Sequence, residues 1–375
     1  MSEAITLPVS LGEALDKLTI LDIKMGKIAD DRREDVKKEY DLLLSSLEKY
    51  VVAFPYHYRI LKEVNLAIWE IQDLFHGKDT AVEEGARLCR EILLENDRRF
   101  RVKAKINALA ASQLREQKGY AKKRAVVYSH LGLGDMFWMN GAVRYLSTAY
   151  DEVLVVCKKR NLKNTMDMYA DDPTIKLLKI EDDYELQPWT VKHRFFSEQG
   201  YTVYSCGAHA LRPDKAIYDL PNSFYDDMAI PRTIRQSYFH VPRTPAAAAL
   251  AGRFRDTPYI VVHEESSVKK LPIVAMLRAA GETRLVLDLN KNPYETTHEW
   301  FEKAQLVVGK PLLEYTGLLE GAAEIHMIES SIYCMASHLD LGRVAKRVCY
   351  EPWGGGAERL GVFITGNITE NIAFK

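Results

Sequence analysis

The sequence predicts an all-α segment followed by two open α/β units. Three observations carry this expectation: helical periodicity over residues 1–120, a change of texture near residue 120, and, beyond it, short β-branched runs alternating with helical stretches in two series. The expected domains are 1–120, 121–243 and 244–375, and 375 residues are enough for each to bury its own core.

The first helix opens on a capping box, with Ser10 as N-cap and Glu13 three residues on. Leu11, Leu15, Leu18, Met25 and Ile28 follow as one apolar stripe. Val36, Tyr40, Leu43, Leu47 and Tyr50 repeat the pattern in steps of four and three, typical of a bundle seam, and Pro55 breaks it. A third helix carries Ile60, Val64, Ile68, Ile71 and Phe75 and is expected to end at Gly77. The fourth, Val82 to Leu114, clusters Arg98, Arg99, Arg101, Lys103 and Lys105. A solvated helix face is the expected account of those charges, with an anionic partner or membrane surface as the lesser alternative. No catalytic constellation is evident here, so the expected role is oligomerisation or docking.

Ala125–Tyr128, Glu152–Cys157, Thr174–Ile180 and Tyr201–Gly207 read as strands of a first parallel sheet. The polar, proline-punctuated stretch Pro221–Arg243 leads to a second series at Tyr259–Glu265, Arg284–Asn290, Gln305–Lys310, Glu324–Ser330 and Arg347–Pro352. Two such units in tandem suit a pair of facing Rossmann-like domains. Ligands of such pairs bind at the carboxyl ends of the strands.

The most informative stretch is AVVYSHLGLGDMFWMNGAVR, residues 125–144: a buried strand, a loop on Gly132 and Gly134, then a helix after Asp135. One account has the glycines supplying a positive-φ turn and Asp135 capping the helix. The other has the loop presenting a carboxylate. Phe137 stands where a dinucleotide fingerprint needs its third glycine, and Asp135 would repel a pyrophosphate, so dinucleotide binding is disfavoured.

With 51 basic and 52 acidic residues the net charge is −1, which gives no reason to expect a nucleic-acid partner. The first residues lack a signal-peptide pattern, and no run of about 18 apolar residues occurs. The expected localisation is cytoplasmic. Cys89, Cys157, Cys206, Cys334 and Cys349 are scattered without metal spacing and read as reduced thiols. No metal site is expected. The acidic pairs Asp171-Asp172, Asp182-Asp183 and Asp226-Asp227 fall in turns or polar segments, the last being the only one within plausible reach of a cleft.

Residues 1–120 resemble a bacterial helical domain of unknown function, through SLGEALDKLTILDIKMGKI, LKEVNLAIWEIQD and ENDRRFRVKAKINAL. The segment SHLGLGDMFWMNGAVRYL is similar to the glycine-Asp loop of heptosyltransferase-type GT-B glycosyltransferases. It is closer to uncharacterised sugar transferase-like proteins of large DNA viruses and bacteria, which share CKKRN (Cys157–Asn161), NSFYDDMAIP and EIHMIESSIYCMASHLDL. The heptosyltransferase donor loop D-T-G-x-x-H is here Glu329-Ser330-Ser331.

This resemblance implies a metal-independent, cofactor-free transferase whose nucleotide-sugar donor is a substrate and whose acceptor is a glycan or polysaccharide. Asp135 would be the general base and His130 an orienting residue, with Gly132, Gly134 and Asn140 on the acceptor side. Glu329, Ser330 and Ser331 would hold the donor, with His263, Lys269 and Lys270 of a second loop ranked behind them. A homo-oligomer through the helical domain is a further expectation. The alternatives are a nucleotide-sugar epimerase of the same plan and a non-catalytic glycan- or nucleotide-binding scaffold.

Overall fold

The computed structural model describes residues 7–75, 81–119, 121–129, 132–182, 185, 189–207, 220–267, 270–351 and 370–373. Gly77, His130, Lys269 and the glycine run Gly354–Gly356 lie outside them. The chain is mixed α/β and forms two compact units. One comprises Met1–Ala125, Arg144–Leu154 and Asp171–Lys176; the other comprises Val126–Val143, Val155–Ala170 and Leu177–Lys375.

The first unit is built on four helices, α1 (Leu11–Lys27), α2 (Arg32–Ala53), α3 (Pro55–Phe75) and α4 (Val82–Leu109). The capping box forms as expected: Ser10 Oγ accepts from Glu13 N at 3.3 Å. Pro55 takes the first position of α3, where its missing N–H costs no helical bond. Leu15, Leu18, Ile60, Leu61, Val64 and Ile106 are buried, each stabilising the bundle by about 1.5–3 kcal/mol. Gly12 allows α1 to meet α4, because a Cβ there would stand 2.6 Å from the Lys103 carbonyl oxygen.

Two expectations about α4 fail. It stops at Leu109, five residues before Leu114, because Ala111 adopts φ 50°. Ser112 N then donates to Asn107 O and Ala111 N to Ala108 O, the paired bonds of a left-handed helix stop. The basic cluster, moreover, is not a solvated face. Arg101, Lys103 and Lys105 are 3%, 8% and 3% exposed. Lys105 Nζ contacts Asp172 at 2.7 Å and Ser147 at 2.6 Å, and Arg101 Nε donates to Asp151 at 3.0 Å. Lys103 bridges Glu13 and Glu116, while Arg99 grips Asp16, which also accepts from Asn65. Burial pushes the Asp172 carboxyl up, but Lys105 and Arg144 outweigh it and hold it below its usual range.

The first sheet has the order β3-β2-β1-β4. Its elements run β1 (Arg124–Tyr128), α5 (Leu133–Trp138), α6 (Asn140–Ala149), β2 (Glu152–Lys158), α7 (Leu162–Met168), β3 (Ile175–Ile180), α8 (Trp189–Glu198) and β4 (Tyr201–Ser205). Helices α9 (Leu220–Asp227), α10 (Ile234–Ser237) and α11 (Pro245–Gly252) lead to the second sheet. That series is β5 (Tyr259–His263), α12 (Ile273–Ala279), β6 (Leu285–Asp288), α13 (Phe301–Gln305), α14 (Thr316–Glu320), β7 (Glu324–Ile328), α15 (Ser331–Ala336), β8 (Lys346–Glu351) and β9 (Glu370–Ala373).

The second sheet is parallel throughout, in the order β6-β5-β7-β8-β9. Ile260, Val262, Val286, Ile328 and Val348 form its core with Ile273 of α12. The expected strand at Gln305–Lys310 is instead the end of α13 and a turn closed by Gly309 at φ 66°. Val307 is buried there, and a short apolar run reads alike whether it is a strand or a buried helix end. Among the described residues, no helix is long and apolar enough to cross a membrane.

Candidate active site

A cleft of 830 Å³ in the second unit is lined by Gly132–Asp135 and Trp138 from the first α/β series. His263, Glu265–Ser267, Asn290, Leu312 and Glu329–Ile332 line it from the second, together with Cys334. The sequence candidates Gly132, Gly134, Asp135, His263, Glu329, Ser330 and Ser331 therefore meet in one place.

The two glycines serve close approach rather than a left-handed turn. Gly132 has φ −74° and stands at the N-cap of α5. Its N–H donates to Asp135 Oδ2 at 2.9 Å, and a Cβ on Gly132 would lie 2.6 Å from that oxygen. The helix thus begins at Leu133, before Asp135 rather than after it; Asp135 is its third residue, not its N-cap, and the bond back to the N-cap N–H holds its carboxylate on the cleft wall. At Gly134 a Cβ would come 3.0 Å from Cys334 Sγ and 3.8 Å from Ser331 Cα, so this glycine sets how closely α5 packs on α15. The same contact places the Asp135 loop beside the double serine. Burial drives the Cys334 thiol well above its ordinary range, and the charges of Asp135 and Glu329 add to the effect.

Ser330 is the N-cap of α15, its Oγ accepting from Tyr333 N at 3.3 Å. Ser331 follows at the first helical position, half-buried, and Glu329 is exposed. His263 ends β5 and is buried. Desolvation holds its imidazole down at about 4, so it is neutral near pH 7, and its Nδ1 has no hydrogen-bond partner. Asn290 organises the loop after β5: its Oδ1 accepts from Glu264 N and Glu265 N, each at 3.0 Å.

Two sequence candidates stand elsewhere. Asn140 is fully buried, and its Oδ1 accepts from His240 N at 2.9 Å. Lys270 does not line the cleft; it pairs with Glu265 at 2.8 Å. The acidic pair beside the cleft in sequence terms is also engaged, Asp226 with Arg232 and Asp227 with Gly207 N. Among the described residues no group of three His, Cys, Asp or Glu side chains is placed to hold a metal ion. Arg160 is the permanent cation among the described lining residues, and the sequence reading missed it. Its signal was its position two residues past β2, at the carboxyl edge of the first sheet.

A family model described as a family of unknown function (DUF6165) matches residues 5–131, about a third of the chain. This agrees with the N-terminal resemblance and carries it through β1. No curated protein matches. Among solved structures, a glycosyl transferase family 9 protein from Veillonella parvula aligns at 11% identity over 67% of this chain and 86% of that one, with a TM-score of 0.44. The iron-containing dodecameric glycosyltransferase TibC from enterotoxigenic E. coli aligns at 15% identity over 69% and 65%, TM-score 0.41. TibC described in complex with ADP-D-beta-D-heptose aligns at 15% over 68% and 64%, TM-score 0.41. The chain spans just under two thirds of the TibC chains.

Proposed function

We propose that the chain is a GT-B-type glycosyltransferase, moving a sugar from a nucleotide-sugar donor to a hydroxyl of a glycan or polysaccharide without a metal. The observation that carries this reading is one cleft gathering Asp135 from the first series with Glu329, Ser330, Ser331 and His263 from the second. Transfer to an alcohol requires a base where the hydroxyl attacks and stabilisation where the phosphate departs. The two groups of residues divide along those lines.

In the proposed step the acceptor hydroxyl gives its proton to Asp135 while its oxygen bonds to the anomeric carbon. The bond from that carbon to the donor phosphate breaks, and its electron pair leaves with the nucleotide. Attack from the face opposite the phosphate inverts the anomeric centre. The bond from Gly132 N fixes one oxygen of the Asp135 carboxylate on the wall of the cleft, where the base is required. Ser331 and the first N–H groups of α15 face the departing phosphate, and Arg160 supplies the positive charge first sought at Lys269 and Lys270. Glu329 is suited to accept from ribose hydroxyls. His263 offers a neutral imidazole that donates or accepts a hydrogen bond.

The test is a panel of nucleotide sugars with the full chain, read as thermal stabilisation and as release of free nucleotide. At least one donor is expected to raise the melting temperature and to be turned over. A panel without stabilisation or hydrolysis would instead support the scaffold. An isomerised sugar still attached to its nucleotide would identify an epimerase.

A further inference from the structure

The N-terminal half of α4 carries an apolar stripe. Val82, Ala86, Cys89 and Leu93 recur in steps of four, three and four, and so share about 60° of the helix circumference. All four are exposed, Val82 at 83% and Leu93 at 68%. The bundle side of the same turns is different: Leu88 is buried, and a Cβ on Gly85 would stand 3.9 Å from the Phe75 ring of α3. Arg87 pairs with Glu84 and Glu91 of its own helix. Glu83 and Arg90 edge the stripe on its outer side, both exposed, and among the described residues no ion pair engages either. An exposed seam of heptad spacing marks an interaction surface.

We infer that this stripe is the seam of a homodimer, in which α4 pairs antiparallel with α4 of a second copy about a two-fold axis. In that register Val82 faces the partner's Leu93 and Ala86 faces the partner's Cys89, so each contact is made twice. The small residues meet at the centre, where the helices can approach closely. The same axis sets Glu83 beside the partner's Arg90 at both ends of the seam, and these opposite charges fix the direction of pairing. A parallel pair would set Arg90 against Gly85, which offers no charge. Apolar register and charge are thus both self-complementary, which selects a second copy of this chain over an unrelated partner. The inference is independent of the transferase reading, because none of these residues lines the Asp135 cleft.

Sedimentation equilibrium of the full chain tests the assignment. A reversible equilibrium between monomer and dimer is expected. Leu93→Glu should abolish the dimer while retaining the thermal melt, since the side chain is exposed. Glu83→Lys and Arg90→Glu each turn both interhelical pairs into like charges and should weaken the dimer about tenfold. Mixed in equal amounts, these two variants should recover the parent affinity as a heterodimer, because every pair is then opposite in sign. Misfolding of either variant would give no such rescue. A chain that stays monomeric at all concentrations would overturn the inference, as would a dimer indifferent to Leu93→Glu. Charge variants without effect, or not rescued on mixing, would overturn the antiparallel register.

Discussion

In α4, Arg99, Arg101, Lys103 and Lys105 each meet a carboxylate of their own unit. The cleft of the second unit is instead lined by one arginine, four serines and three carboxylates. Both regions are dense in polar side chains, and both drew attention in the sequence. The difference is what the groups border: Arg101, Lys103 and Lys105 are buried, whereas the cleft residues line an open volume. Buried charges matched within the fold secure packing and are strongly destabilising to break. Around the cleft, hydroxyls, a neutral histidine and the Asp135 carboxylate, which accepts from Gly132 N, border an open volume.

The largest expected effect tests the structural half of this contrast. Asp172→Ala leaves Lys105 buried without its counter-ion and should cost about 3–5 kcal/mol in urea unfolding. Arg160→Ala at the cleft should stay within about 0.5 kcal/mol. Equal losses from the two would erase the distinction.

Acid stability is next in size. His57 and His263 are held down at about 4 by burial, one in each unit, whereas an unfolded histidine titrates near 6.5. Between those values the unfolded chain binds more protons, so stability is lost as pH falls through that window. Asp288, pushed up to about 7 by burial, works in the opposite sense, since the fold binds its extra proton below that pH. His263→Gln should remove about 3 kcal/mol of the acid loss measured in unfolding titrations between neutral pH and pH about 4. An unaltered slope would mean that His263 carries no such burden.

Gly134→Ala presses a methyl toward Cys334 Sγ and should cost about 1–3 kcal/mol. Adding Cys334→Ala should recover part of that loss, a coupling readable in a double-mutant cycle. Simple additivity would show that α5 and α15 do not set each other's position. The smallest effect is Ser330→Ala, which removes the α15 cap and should cost about 1 kcal/mol in thermal unfolding.

Local signals were the legible ones. Ser10 and Glu13 announced α1, Pro55 marked the end of α2, and β-branched runs located β1, β2, β5 and β7 to within a residue or two. The cleft was foreseen to the extent that glycine and serine loops after strands mark sheet edges. The fate of the α4 charges was hidden because their partners come late: Asp151 is 50 positions from Arg101 and Asp172 is 67 from Lys105. The early end of α4 was hidden for another reason, since an alanine rather than a glycine takes the left-handed position. Arg160 lies within CKKRN, where a single cation at a strand end does not differ in sequence from its lysine neighbours.

Asp135→Asn tests the base assignment most directly. The amide oxygen can still accept from Gly132 N, so the loop keeps its form while the basicity is lost. With a donor found in the nucleotide-sugar panel, kcat should fall by about 10²–10⁴-fold, with donor affinity within a few-fold of the parent. Transfer at the parent rate would contradict Asp135 as the base.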